Sequence, residues 1–464
     1  LFAWALILPL AVPGYVMAYA YTDFLDVAGP LQTWLRQALD LQVGGYWFPE
    51  VRSLGGAIAL LSLVLYPYVY LLARAAFLEQ SVCALEVGRT LGYGPWACFW
   101  HVALPLARPA IVAGTALALM ETLADCGTVA FFGLPTCPTG IVRALVSMGD
   151  RTAAAQLSTL LLLAVFGVLL LERWSRQRLR FHHTSSKYRA LPRHELKGIR
   201  APLATLACLL PLLLGFLLPA GLLLRLWLTD AGGEIDPRFL QWAGNSVTLA
   251  AVAAVAAVLL ALLLAYGLRR TRSTAVTVAA RLAGMGYAVP GTVIAIGTLI
   301  PLAAFDNALD GWMRATFGVS TGLLLTGSIA ALVFAYLVRF LSVSLSTVEA
   351  SLGKVRPSLD EAARTLGSGP GATLWRVHAP LVWTGVLTAL LLVFVDVLKE
   401  LPATLLLRPF NFDTLAVQAA NFAADERLAE AAFPALAIVA VGILPVLVLS
   451  RAIARARPGG AATG

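Results

Sequence analysis

Ten stretches of mostly apolar residues, each long enough to cross a bilayer, leave few folds open to this chain. They centre near residues 4–21, 55–73, 104–124, 155–171, 202–228, 246–268, 281–301, 322–341, 381–398 and 433–450. A helical span needs about 20 such residues, whereas barrel strands alternate apolar and polar positions over about half that length. None of the ten alternates. Within lipid each backbone group must be bonded inside its own segment, so the runs are expected to be helices and the fold class all-α, a polytopic transmembrane helical bundle. Composition agrees: 59% of the 464 residues are hydrophobic and 13% charged, with a mean hydropathy of +0.81. A soluble domain carries roughly a quarter charged residues.

The net charge of +9 invites a nucleic-acid reading, but its distribution argues against one. Placing the Arg/Lys-rich loops in the cytoplasm and alternating sides along the spans puts most of the 34 Lys and Arg inside and most of the 25 acidic residues outside. The excess is topological, and the partner it implies is the lipid bilayer, with no nucleic acid. The longest inside run, "ERWSRQRLRFHHTSSKYRALPRHELKGIR" from Glu172 to Arg200, reads as a solvated linker, its three His scattered among Arg and Lys. The five Cys show no metal-ligand spacing. Cys126 and Cys137 fall in one outside loop, where a disulfide is one of the pairings an oxidising compartment permits. No signal peptide is visible, and the chain opens on Leu1 inside an apolar run.

One segment occurs twice. "EVGRTLGYGPWACFWHVALPLARP" begins at Glu86 and "EAARTLGSGPGATLWRVHAPLVWT" at Glu361, 275 positions later, and Gly92, Pro95 and Pro105 are answered by Gly367, Pro370 and Pro380 at the same offset. A second pair, around Pro13-Gly14 and Pro290-Gly291, places a Pro-Gly inside a span ahead of an acidic outside loop that ends in Trp and Arg. Two spans precede this element in the second half and none in the first. The expected organisation is a first half over 1–172, N-terminally incomplete by about two spans, a basic cytoplasmic linker over 173–200, and a six-span second half over 201–464. Repeats of this kind build a pathway at the interface between halves.

Each duplicated segment should form a short helix on the inner membrane surface. "LEVGRTLG" and "DEAARTLG" are helix-forming up to a Gly suited to the C′ position; a Gly-Pro turn follows, then an amphipathic stretch, then a Pro opening the next span. A lone copy would pass for an ordinary interfacial helix; two at fixed spacing argue against that reading.

These residues resemble the EAA loop of bacterial ABC importer permeases. The second copy (359–381) keeps Glu361, Ala362, Ala363, Gly367 and Pro380; the first (84–106) keeps Glu86, Gly92, Leu104 and Pro105 but has Val87 and Gly88 where two Ala are usual. The resemblance implies two type I permease halves fused in one chain, with Glu86, Arg89, Glu361 and Arg364 facing two copies of a cytoplasmic ABC ATPase subunit. Small residues beside Glu would let the helix sit deep in the ATPase, so Val87 and Gly88 imply an altered fit in one half. "NSVTLA" (Asn245 to Ala250) and "YLVRFL" (Tyr336 to Leu341) resemble further marks of the family. No GxxxxGK[ST] occurs, so the chain is expected not to be an enzyme; ATP and Mg would be bound by the partners, and the chain itself would carry no cofactor or metal.

Ionisable residues in or near spans are candidates for function. Glu121 and Asp125 are answered 275 positions later by Asp396 and Glu400, each pair four residues apart on one helix face. The four are expected to line a translocation pathway and attract a cation, or else to be hydrated or paired with Lys399 and Arg408. The flanking segments resemble, more narrowly, fused permeases of ferric-iron importers, with Cys126 where Phe is usual. That implies Fe(III) handed over by a periplasmic or lipid-anchored binding protein, alternating access across the bacterial inner membrane, and EAA loops, linker and C-terminus in the cytoplasm. Relatives for thiamine, polyamines or sulfate share the architecture. An ion-gradient transporter would have no use for duplicated docking loops, and a membrane enzyme would need a catalytic cluster that the sequence lacks.

Overall fold

The computed structural model describes residues 2–80, 82–177, 196–271, 273–353 and 355–455. All described regular structure is helical. Most of the basic linker, including its three His, lies outside the described residues.

Eight helices are long and apolar enough to cross a membrane, and two bent pairs raise the number to ten. Their positions follow the ten apolar runs, with one physical correction. The Pro-Gly pairs do not sit inside continuous spans. Pro13 and Pro290, both extended, are the N-caps of new helices, Gly14–Leu25 and Gly291–Phe317. Proline pushes the residue before it out of the helical region and is favoured where a helix begins, so each run breaks there. In the first half the chain turns by 90° between Phe2–Ala11 and the helices over Gly14–Leu39.

The 275-residue repeat is structural as well as sequential. The span Leu54–Glu79 is answered by Ile329–Leu352, and a wide π-type turn at Phe99–Ala103 by one at Leu374–His378. The halves clasp reciprocally. The last span of the first half, Arg151–Gln177, packs on Gly291–Phe317 of the second, while the last span of the second half, Leu428–Arg455, packs on Leu8–Ala11 of the first. Gly442 makes that second contact possible, because a Cβ there would stand 2.6 Å from the Ala11 carbonyl oxygen.

Within the second half, Phe239–Arg270 fills the groove between Ile329–Leu352 and Trp383–Leu398. It does so with a buried stripe of Ala250, Ala253, Ala254, Ala257, Ala261 and Ala265. Apolar side chains gain little by leaving lipid for protein, so small residues that let backbones approach closely hold such helices together. Asn245 and Ser246, in the "NSVTLA" stretch, pin its N-terminal end by bonding the Asp413 carbonyl and the Leu415 amide. No described helix fills the matching groove of the first half. Between Leu54–Glu79, Leu104–Ala124 and Arg151–Gln177 lies an apolar cavity of 820 Å³ instead.

Candidate translocation site and coupling loops

The two breaks leave a polar cavity of 140 Å³ where the halves meet. Glu121, Asp125, Asp396 and Glu400 all line it, so the four carboxylates picked out by spacing come together. Each has a partner. Asp125 accepts from the Thr128 hydroxyl at 2.9 Å and the Val129 amide at 3.2 Å, capping the short helix Gly127–Phe131. Glu400 does the same one repeat later. It accepts from the Ala403 amide at 3.1 Å, the Thr404 amide at 3.2 Å and the Thr404 hydroxyl at 3.1 Å, capping Pro402–Leu407. Asp396 pairs with Lys399 at 2.8 Å. Of the two basic partners weighed from sequence, Lys399 is therefore engaged, whereas Arg408 turns away to Asp413.

Glu121 and Glu400 share a cation that sequence reasoning passed over. Arg339 enters from inside the apolar span Ile329–Leu352, with Nη2 3.8 Å from Glu121 and Nη1 3.4 Å from Glu400. The signal is present in the sequence, since an Arg within a span is a functional candidate by default, but it carries no charged counterpart one repeat away. Two cations against four carboxylates leave a formal charge of −2. Tyrosines complete the wall. Tyr15 donates to the Lys399 carbonyl at 3.3 Å and the Tyr68 and Tyr287 hydroxyls lie 3.5 Å apart, both contacts crossing between halves. The repeated glycines explain themselves here. A Cβ on Gly14 would lie 3.2 Å from an Asp125 carboxylate oxygen, and one on Gly291 would lie 2.5 Å from both Glu400 Oε1 and Arg339 Nη1. In each half, the Pro-Gly break makes room for that half's capping carboxylate.

A second chamber of 410 Å³ adjoins this cavity and shares Cys126, Gly127, Leu401 and Pro402 with it. Arg52 and Glu426 meet across the halves at its rim, 3.5 Å apart. Cys126 and Cys137 are both free thiols, so the disulfide considered from sequence is not formed. Among the described residues, no group of three or more His, Cys, Asp and Glu is arranged to hold a metal ion.

The duplicated loops form the expected short helices, Val82–Thr90 and Pro357–Thr365. Gly92 (φ 86°) and Gly367 (φ 75°) take the left-handed conformation just past them. The amide of Tyr93 reaches back to the Gly88 carbonyl, and that of Ser368 to the Ala363 carbonyl, closing the same C-terminal motif twice. Glu86, Arg89, Glu361, Ala362 and Arg364 are exposed, as are Pro105 and Pro380. Gly88 and Ala363 are instead buried. A Cβ on Gly88 would stand 3.1 Å from Cys98 Sγ. Only Val87 against Ala362 therefore alters an outer face; the second small residue is needed for internal packing. Leu91 and Leu366, equivalent by repeat and 71% and 84% exposed, form outward tips that the sequence reading missed.

The second loop is tied down by charge. Asp360 takes hydrogen bonds from Arg269 at 2.8 Å and from fully buried His378 at 2.5 Å, while Arg269 also donates to the Leu352 and Val355 carbonyls. Burial pushes the Asp360 pKa up, but the hydrogen bonds from Arg269 and His378 outweigh it and hold the carboxyl below its usual range. One repeat earlier, Leu85 and Ala103 stand in the places of Asp360 and His378.

Repeated helical halves, a cavity lined by charged groups at their junction and paired exposed loops define a multi-pass membrane protein of two repeated halves. Residues 1–181 and 257–457 match the family of binding-protein-dependent transport system inner membrane components, and the chain belongs to that family. It is similar to the Fe(3+)-transport system permease protein FbpB 2 of Haemophilus influenzae, 26% identical over 97% of this chain and 82% of the relative. It is also similar to the molybdenum transport system permease protein ModB of Escherichia coli K12, 25% identical over 36% of this chain and 72% of the relative. Among solved structures, a chain of a bacterial alginate ABC transporter in complex with an alginate pentasaccharide-bound periplasmic protein superposes with a TM-score of 0.42. It is 15% identical, covering 55% of this chain and 96% of that one, too loose a likeness to build on.

Proposed function

We propose that this inner-membrane component carries ferric iron, delivered by a binding protein, through the cavity between its halves, driven by two copies of a cytoplasmic ABC ATPase. The observation that carries the cargo is the similarity over 97% of the chain to the H. influenzae Fe(3+) permease, whereas the molybdenum relative matches only 36% of the chain. The ferric transport permease FbpB of Actinobacillus pleuropneumoniae, matched over 86% of the chain, supports the same reading. A path lined by four carboxylates suits a cation.

In this reading the halves are 1–172 and 201–464, joined by a cytoplasmic linker. The exposed faces of the two loop helices, with Glu86 and Arg89 on one and Glu361, Ala362 and Arg364 on the other, dock one ATPase subunit each. Gly92 and Gly367 end those helices, and Pro105 and Pro380 open the spans that lead to the cavity. Closure of the ATPase pair moves the loops and opens the cavity outward; hydrolysis resets it. A ligand shifts such an equilibrium only by binding the two states differently, so the loaded binding protein should stimulate ATP turnover. The test is ATP hydrolysis by the reconstituted complex with the binding protein carrying Fe(III), molybdate, sulfate, thiamine or a polyamine. Stimulation by the iron-loaded protein alone is expected. Stimulation by another cargo alone discards iron, and failure to assemble with any ABC ATPase overturns the whole reading.

A further inference from the structure

We propose that Arg339 is a tethered counter-cation: in the cargo-free protein its guanidinium occupies the place between the halves that a cationic cargo takes in passage. The inference rests on the cationic cargo proposed above, and its geometry is its own. Arg339 is 7% exposed and lines the central cavity from the second half. It lies between Glu121 of the first half and Glu400 of the second, at 3.8 and 3.4 Å. Both distances exceed the 2.7–2.9 Å of a locked charge-assisted bond. Its buried Nε–H has no partner, an unspent donor beside the cavity. One repeat earlier the position is Val64, which lines the same cavity, so the charge is a property of one half and not of the repeat.

Glu121 and Glu400 differ in what they would do without it. Glu400 keeps three donors from Ala403 and Thr404. Glu121 has no other ion-pair partner among the described residues. A cation entering between them can therefore take over Glu121, and transiently the outer lone pairs of Glu400, while the guanidinium swings off; when the cargo leaves, the guanidinium returns. An anionic cargo would instead bind the guanidinium and draw it along.

The test uses the complete complex with its ATPase subunits in liposomes, comparing wild type, Arg339→Gln, Arg339→Lys and Glu121→Gln/Arg339→Gln. ATP-independent entry of Mn²⁺ and of sulfate is read for each, together with ATP-driven uptake of iron from its binding protein. Removing one fixed positive charge from a low-dielectric cleft raises local cation concentration about tenfold or more. Arg339→Gln is therefore expected to admit Mn²⁺ about tenfold faster than wild type with sulfate entry unchanged, and Arg339→Lys to stay near wild type. The double variant restores the charge balance without the tether, so its Mn²⁺ entry should fall between the two. Equal Mn²⁺ entry in single and double variants, or parallel entry of sulfate, would mean that Arg339 only fills space, and the proposal falls. If the single variant does not assemble, the double decides: Mn²⁺ entry at the wild-type level overturns the proposal. Wild type that carries no iron while Arg339→Gln still leaks Mn²⁺ selectively removes the iron reading and leaves the counter-cation in place.

Discussion

Replacing Asp360 by Asn should loosen one of the two duplicated loops and leave its twin untouched. The Asp360 carboxylate joins Arg269, at the end of the span Phe239–Arg270, to His378, at the foot of the next span, and does so from within the loop helix Pro357–Thr365. Asn keeps one acceptor. If that acceptor stays on Arg269, the amide NH₂ faces His378 Nε2, and the ring's proton must move to Nδ1, which is buried with no partner. Hydrogen bonds to charged groups contribute about 1.5–3 kcal/mol. The carboxylate is 24% exposed, so discounting for solvent screening leaves about 2 kcal/mol of local stability. That is roughly thirtyfold in the opening equilibrium. Hydrogen exchange of amides in Pro357–Thr365 should accelerate by that factor, since it reports local opening, while amides in Val82–Thr90 keep their rates because Leu85 stands where Asp360 would be. Unchanged protection in the second loop, or equal loss in both, would refute the reasoning. The pH dependence has a definite sign. A carboxyl held below its usual pKa in the folded protein contributes fully above the unfolded value, about 3.9, and loses its contribution only as pH falls through the lower folded value. Titration of the Asp360 carboxyl itself should therefore weaken loop protection only below about pH 4.

Gly92→Pro combined with Gly367→Pro should leave the protein in the membrane and abolish uptake by the reconstituted complex, because proline holds φ near −65° where these glycines need +86° and +75°. Gly291→Ala should lower the melting temperature of the purified protein, costing about 1–3 kcal/mol as overpacking does, because its Cβ would lie 2.5 Å from both Arg339 and Glu400; Gly14→Ala, whose nearest contact is 2.8 Å, should cost less. Peptide mapping after thiol alkylation without reductant should find Cys137 modified ahead of the more buried Cys126; a Cys126–Cys137 disulfide-linked peptide would contradict the free thiols.

The spans were legible because lipid permits so few alternatives: apolar length alone identifies a helix there. The loop helices and their Gly C-termini were equally legible, since a left-handed glycine and the Gly-Pro turn after it are local chemistry. The carboxylate cluster could be found from the 275-residue offset, which carries Glu121 onto Asp396 and Asp125 onto Glu400. What the spacing could not reveal is what those side chains bond. Asp125 and Glu400 cap short helices that begin two residues later, and a cap is visible only once the chain is known to break there. Hydropathy does not register a break between two apolar helices, such as the 90° turn at Pro13-Gly14, so it runs a span through each Pro-Gly pair. Arg339 has no charged counterpart in the first half, so a search by repeat passes over it; Val64 is unremarkable in a span.

The arrangement also bears on where selectivity is exercised. Four carboxylates at one cavity would suggest a strong cation trap, but two are spent on caps, one on Lys399, and the fourth shares Arg339 with Glu400. The helices Gly14–Leu25 and Gly291–Phe317 also begin at this site, and each N-terminus contributes roughly half a positive charge. Their sum, about +1, offsets half of the formal −2, leaving a weak net field with many oxygen atoms and no preformed metal-ligand cluster among the described residues. A hard cation held at its preferred coordination needs six or more oxygens at fixed distances. Such a site would release its cargo slowly and throttle passage. A cavity whose ligands are already engaged offers exchange instead of capture, which is what a path must do if the binding protein supplies the selectivity and the ATPase the direction.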